Sequence, residues 1–178
     1  MAIKVFDGGL RGEKVYVGID QSYSGFAITL INDTGHRTTV YKPTSAGIAR
    51  LAELRQHLDS TLKGYTVIDV AIEGYAFGSQ MANMLGELGG MVKLALYDKR
   101  LYPLIVPPTS LKKYVTGKGN GVSKSQMLLQ VYKTWDVEFS DDNAADSYSL
   151  ARLVTGSYTF AYQKDVYTKL QDPKFREK

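Results

Sequence analysis

Two stretches of this chain are nearly unbroken runs of apolar, β-favouring residues, and each ends on an acid. Lys14–Asp20 reads KVYVGID, and residues 66–72 read TVIDVAI with Glu73 next. A strand with one wet face alternates apolar with polar, whereas a continuous run of this length is the pattern of a buried strand. The first run passes through the turn QSYSG into GFAITLIN (residues 25–32), then through NDTG into HRTTVYK (His36–Lys42). These β-branched and aromatic segments, separated by turn chemistry, predict a three-stranded antiparallel meander.

Beyond residue 45 the apolar period lengthens. Ile48, Leu51, Leu54, Leu58 and Leu62 recur at three- and four-residue steps, which predicts an amphipathic helix over about 46–62, stopped at Gly64. A longer helix is expected over 80–97, with Met81, Leu85, Leu88, Val92 and Leu96 on one stripe, and a short strand over 103–107 (PLIVP). Thr109 is read as the cap of a short helix ending near Tyr114. The glycine-rich stretch TGKGNGVSK follows, Ser123 opens SKSQMLLQVYKTW, and Asp141 or Asp142 opens DDNAADSYSLARLVTG. Strands first, then strand–helix alternation, give an α/β class with a mixed sheet: the meander plus parallel strands, flanked by helices. A chain of 178 residues makes one domain on this reading, with a short leader over about 1–13 and a surface extension over about 157–178.

Several chemistries drop out. With no cysteine, thiol nucleophiles, disulfides, zinc–cysteine clusters and iron–sulfur sites are excluded, and a reducing compartment, the cytoplasm, is favoured. The N-terminus lacks a signal-peptide core, and no run reaches the ~20 apolar residues of a membrane span, so a soluble protein without membrane partners is expected. The two histidines, His36 and His57, fall in a strand and on a helix away from every motif, which leaves Ser/His/Asp hydrolysis without a base. The net charge of +4 is unevenly divided: residues 99–135 carry seven lysines and arginines and no acid, leaving −3 for the remainder. Such an asymmetry is either a solvated face or the footprint of a nucleic-acid partner.

Asp20 and Glu73 end two buried strands, and Asp142 and Asp146 lie one turn apart on one face of the last long helix. If the strands are neighbours and this helix packs over their ends, four carboxylates converge. Unpaired they would repel one another and desolvate badly, so the cluster needs a cation. Oxygen ligands without His or Cys select Mg²⁺ or Mn²⁺, and two such ions held by acids are the machinery of in-line phosphodiester hydrolysis. The plainer alternative is that each acid caps or solvates its own element, which is strong for Asp141 and Asp142 and weakest for Asp146, set among apolar neighbours.

Four segments, GIDQSYSGFAI, AIEGYAFG, PPTSLKKYVTGKGNGVSKSQM and DDNAADSYSLARL, together resemble, in order and spacing, the RuvC family of Holliday-junction resolvases, above all its small phage-type members, over residues 16–153. The resemblance implies a ribonuclease H-like fold, a homodimer, two ions per active site and paired symmetric cleavage of a four-way DNA junction in a bacterial cell or phage-infected host, without a nucleotide cofactor. It places Asp20, Glu73 and Asp146 at family acids. At the fourth acid this chain departs from the family: Asn143 stands three residues before Asp146, and Asp142 is preferred as ligand because an anionic oxygen holds a divalent ion better. Lys124 corresponds to a basic residue opening the helix after the glycine loop and is assigned a catalytic as well as a phosphate-holding role. Lys112, Lys113 and Lys118 are DNA-binding candidates. Tyr75 and Phe77 stand where the family carries a wedge aromatic. Gly86, Gly89 and Gly90 on the long helix allow close backbone approach, either to the sheet or to a second subunit. The competing functions are a nuclease of the same fold acting on flaps or hybrids, and a non-catalytic junction-binding or architectural protein.

Overall fold

The computed structural model of the chain describes residues 2–75 and 81–178. Six strands, β1 (Ala2–Asp7), β2 (Lys14–Asp20), β3 (Phe26–Ile31), β4 (His36–Lys42), β5 (Thr66–Glu73) and β6 (Leu104–Val106), form one sheet in the order β1-β4-β3-β2-β5-β6. β2, β3 and β4 are the expected antiparallel meander, and β5 and β6 add in parallel beside β2. Helices α1 (Gly47–Leu62) and α2 (Ala82–Tyr97) cover one face. α3 (Pro108–Thr116), α4 (Lys124–Trp135), α5 (Asp142–Val154) and α6 (Ala161–Leu170) build the other. No helix among the described residues is long and apolar enough to cross a membrane.

The unbroken apolar runs are explained by this layering. Val15, Val17 and Ile19 of β2, with Val70 and Ile72 of β5, join a core with Leu54, Leu58, Leu88 and Val92 from α1 and α2. The alternate positions face α5. At Gly18 that helix lies directly on the strand: a Cβ there would sit 2.0 Å from the Ser147 carbonyl oxygen and 2.4 Å from the Ala151 nitrogen. Only glycine permits this approach, because both obstacles are backbone. A buried hydroxyl chain fixes the same interface, with Thr29 Oγ1 2.7 Å from Thr38 Oγ1 and 2.8 Å from Ser147 Oγ.

Three expectations are corrected. Residues 2–7, read as part of a leader, form the sheet's edge strand, paired with β4 from Ala2↔Lys42 to Asp7↔Arg37 and packed through Phe6 edge-on against Phe139, with centroids 5.1 Å apart. The segment read as a surface extension carries α6, whose Gln163, Val166 and Leu170 are buried. A short stripe that opens with a glutamine gives a weak helical signal. Thr109 does not cap α3; Pro107 precedes the helix and Pro108 fills its first position, where a missing N–H costs nothing.

Candidate active site

The register of β2 against β5 decides the site. Their last paired residues are Ile19↔Ile72, so Asp20 and Glu73 follow side by side at the ends of adjacent parallel strands. Both share parity with Gly18 and Ala71 and therefore project toward α5. The Asp141 side chain caps α5, accepting from the amides of Asn143 at 3.0 Å and Ala144 at 3.4 Å, which fixes the rotation of the helix's first turn. Asp142 and Asp146, one turn apart, then line the same cleft of about 400 Å³ as Asp20 and Glu73. The Asn143 amide lies instead against the start of β3, where a Cβ on Gly25 would come within 2.6 Å of Nδ2.

The opposite wall is basic and apolar. Lys112 of α3 and Lys124 of α4 line the cleft with Pro108, Leu111, Val122 and Met127. Lys124 is held at the first position of α4 by a reciprocal cap, in which the Gln126 amide donates to Ser123 Oγ and the Ser123 amide to Gln126 Oε1. Its ammonium forms an ion pair with Asp142. Two of the sequence's lysines are not part of the cleft: Lys113 faces a groove between α3 and α6 beside Asp165 and Lys169, and Lys118 is exposed on the glycine loop. Tyr75 lines the cleft and is 37% exposed. Its hydroxyl rests on α2 where a Cβ at Gly89 would be 1.4 Å away, so a side chain at Gly89 would displace the Tyr75 ring, while Gly86 and Gly90 face open space. Phe77 lies outside the described residues.

Electrostatically the cleft is strained in one direction. Burial, then repulsion from Glu73, Asp146, Asp142 and Asp141, raises the Asp20 carboxyl well above the usual carboxylate range. Glu73 is pushed up to about 7 by burial and by Asp146, against a weaker pull from Lys112. Asp146 is pushed up to about 7 by burial and by Asp142, with Lys124 and Lys112 opposing. Each shift measures how badly the negative form lacks a counter-charge. Among the described residues no three His, Cys, Asp or Glu side chains are close enough together to hold a metal ion as placed. The carboxylates thus line a common space rather than closing a coordination shell. Their chemistry, four carboxylates with no imidazole or thiolate, fits a hard divalent cation.

Reading the residues alone missed Gln21, Ser22 and Leu85, which also line the cleft. Gln21 and Ser22 belong to a segment that reads as a plain turn, and Leu85 belongs to a stripe that reads as core. His36 is buried far from the cleft, edge-on to Tyr148 with ring centroids 5.0 Å apart, and its pKa is lowered by burial and by Arg152. His57 stacks on Tyr41 at 4.8 Å.

No family model and no curated protein sequence matches the chain. Among solved structures, Thermus thermophilus RuvC is similar with a TM-score of 0.64 at 16% identity, over 92% of this chain and 98% of that one. The T. thermophilus RuvC in complex with Holliday junction substrate gives the same TM-score of 0.64 at 16% identity and the same coverage, 92% and 98%. The yeast mitochondrial Holliday junction resolvase Ydc2 is similar with a TM-score of 0.55 at 18% identity, over 88% of this chain and 80% of that one. With the strand order and the mixed pairing, these likenesses identify the architecture: the chain has the ribonuclease H-like fold of the RuvC-type resolvases.

Proposed function

We propose that the chain is a metal-dependent endonuclease selective for branched DNA, which resolves four-way junctions by paired symmetric nicks as a cytoplasmic homodimer. One observation carries this reading: Asp20, Glu73, Asp142 and Asp146, from three separate elements, line a single cleft with Lys112 and Lys124. The fold likeness to two resolvases, one of them in complex with Holliday junction substrate, supports the choice of DNA partner.

The four carboxylates would hold two Mg²⁺ or Mn²⁺ ions, with Asp142 rather than Asn143 completing the set. When bound, such ions activate water for in-line attack on phosphorus and stabilise the departing oxygen. Lys112 and Lys124 hold the scissile-region phosphate as point charges. Lys124 has the reach for this, since its side chain is 81% exposed apart from its contact with Asp142. Lys113 and Lys118 hold flanking phosphates. Tyr75, partly exposed at the cleft edge, and Phe77 stack on bases at the crossover, an interaction of about 1–3 kcal/mol per base.

The test is a four-way junction, each arm labelled in turn, incubated with Mg²⁺ and then with excess EDTA. Nicks at symmetric positions on opposed strands, halted by EDTA, are expected. Their absence from four-way junctions, or their continued accumulation after chelation, contradicts the reading. A non-catalytic junction binder is the second reading, favoured by the open spacing of the carboxylates, none of which forms a group of three close enough to hold an ion among the described residues. Binding without cleavage in both Mg²⁺ and Mn²⁺ would select it.

A further inference from the structure

Among the described residues Gln21 is the one uncharged amide lining the carboxylate cleft, and it is only 7% exposed. It follows Asp20 where β2 ends. Its side-chain amide is tethered by one contact, Nε2 donating to the backbone carbonyl of Glu73 at 2.8 Å. This fixes which way the amide faces, because a carbonyl only accepts and the NH₂ group must point at it. The other end, Oε1, is fully buried and has no hydrogen-bond partner. Buried side-chain oxygens are seldom left so, and each exception calls for an explanation.

Among the described residues none donates to it as placed. Asp20, Glu73, Asp142 and Asp146 are acceptors when ionised, and the Lys124 ammonium is paired with Asp142. A donor brought in by something the cleft binds would complete it. Mg²⁺ and Mn²⁺ sites of this kind retain bound waters, and groups that hydrogen-bond to such waters orient the shell around the ion.

We propose that Gln21 is a positioning residue of the divalent-ion site, its Oε1 accepting a hydrogen bond from a water of the ion's shell while its NH₂ group ties the Glu73 carbonyl to the end of β2. The inference rests on the metal-dependent reading above and adds to it a residue that departs from an all-carboxylate site. It also gives the β2–β5 junction a second function, since the same amide that registers the two acids also contacts what they bind.

The experiment is a Mn²⁺ titration of the full chain without DNA, read by the electron paramagnetic resonance signal of free Mn²⁺, with thermal unfolding in EDTA alongside. Gln21→Met keeps length and removes both polar atoms; Gln21→Glu keeps an acceptor oxygen and removes the tether. The expected result is a Mn²⁺ dissociation constant about 10–100-fold weaker for Gln21→Met. Gln21→Glu should bind at least as tightly as the parent chain, and the Tm of Gln21→Met in EDTA should equal or exceed the parent's. Equal Mn²⁺ affinity in Gln21→Met and the parent overturns the proposal. So does an equal loss in Gln21→Glu, or a fall in metal-free Tm that accounts for the weaker binding, since either makes the tether the whole role. A parent chain that takes up no Mn²⁺ strikes the metal-dependent reading itself, an outcome distinct from failure of the Gln21 assignment.

Discussion

Glu73 and Asp146, pushed up to about 7 beside an Asp20 that is raised as well, make the protonation of the cleft depend on pH near neutrality. For Glu73 the ordinary value is 4.5 and the folded one about 7. Between those values the folded chain keeps a proton that the unfolded chain has released, so its contribution to stability falls as pH rises through the window. The difference corresponds to about 3 kcal/mol for Glu73 taken alone, an upper bound because the acids interact. His36 and His57, lowered by burial, act in the opposite sense at acid pH, so comparing variants is cleaner than a single pH scan. In EDTA, Glu73→Gln should unfold at a higher temperature than the parent chain at pH 8, with the gap closing toward pH 5; addition of Mg²⁺ at pH 8 should reverse the order. A gap independent of pH would show that Glu73 is not held ionised against its surroundings. Asp20→Asn, Glu73→Gln and Asp146→Asn should each retain junction binding in a gel-shift assay and lose cleavage by at least about 10²-fold, the scale expected when charge stabilisation at a reacting centre is removed. Near-parental cutting by any one of them removes that residue from the site. The three acids were legible because two end buried strands and the third interrupts an apolar helix face. Asp142 and Asn143 could not be separated in advance, since a cap residue one position away sets the rotation of the turn, and that cap, Asp141, was itself ambiguous with Asp142.

The helix carrying two of these acids lies across the sheet, with its tightest approach at one strand. α5 lies on β2 at Gly18, where the Ser147 carbonyl and Ala151 amide fill the space a side chain would need. Gly18→Ala should therefore lift α5 from the sheet, at a cost of about 1–3 kcal/mol or more, because neither obstacle can rotate away. Urea unfolding gives the stability loss. Cleavage by the folded fraction should fall further than that loss explains, because the Asp142–Asp146 turn moves relative to Asp20. A mild stability loss with unchanged activity would mean that α5 is placed by other contacts, such as the Thr29–Ser147 bond at 2.8 Å. The meander, α1 and α5 were readable because their periods are clean over many residues. β1 and α6 were not: β1 is a short strand whose Ile3 and Val5 stay about half exposed, and α6 buries a glutamine in its stripe. In both, tertiary pairing supplies what local pattern lacks.

Across the whole molecule, the basic side chains are concentrated in one stretch of chain. Residues 99–135, with seven basic side chains and no acid, run through α3, the glycine loop and α4; of these, Lys112 and Lys124 line the cleft across from the acids of β2, β5 and α5, while Lys99 pairs with Asp59. On α2, Met84, Leu94 and Tyr97 are 38%, 57% and 59% exposed, and Gly90 between them meets open space. That stripe is where a second copy would pack if the chain acts on two strands at once. Leu94→Arg should convert a dimer to a monomer by light scattering after gel filtration, and should replace paired nicks with single, uncoupled ones. A parent chain that is monomeric at micromolar concentration contradicts the paired mechanism while leaving the cleft's chemistry untouched. The division of charge was countable from the sequence, but only the fold shows that Lys112 and Lys124 face four of the acids.

If Asp20, Glu73, Asp142 and Asp146 together form a divalent-ion centre, a crystal grown or soaked with Mn²⁺ and measured at the manganese absorption edge will reveal it. Two anomalous peaks are expected in the cleft, within inner-sphere distance, about 2.0–2.3 Å, of oxygens from all four residues, with Asn143 left against Gly25. A cleft that shows no peak at saturating Mn²⁺, in a protein that still binds a four-way junction, would contradict it.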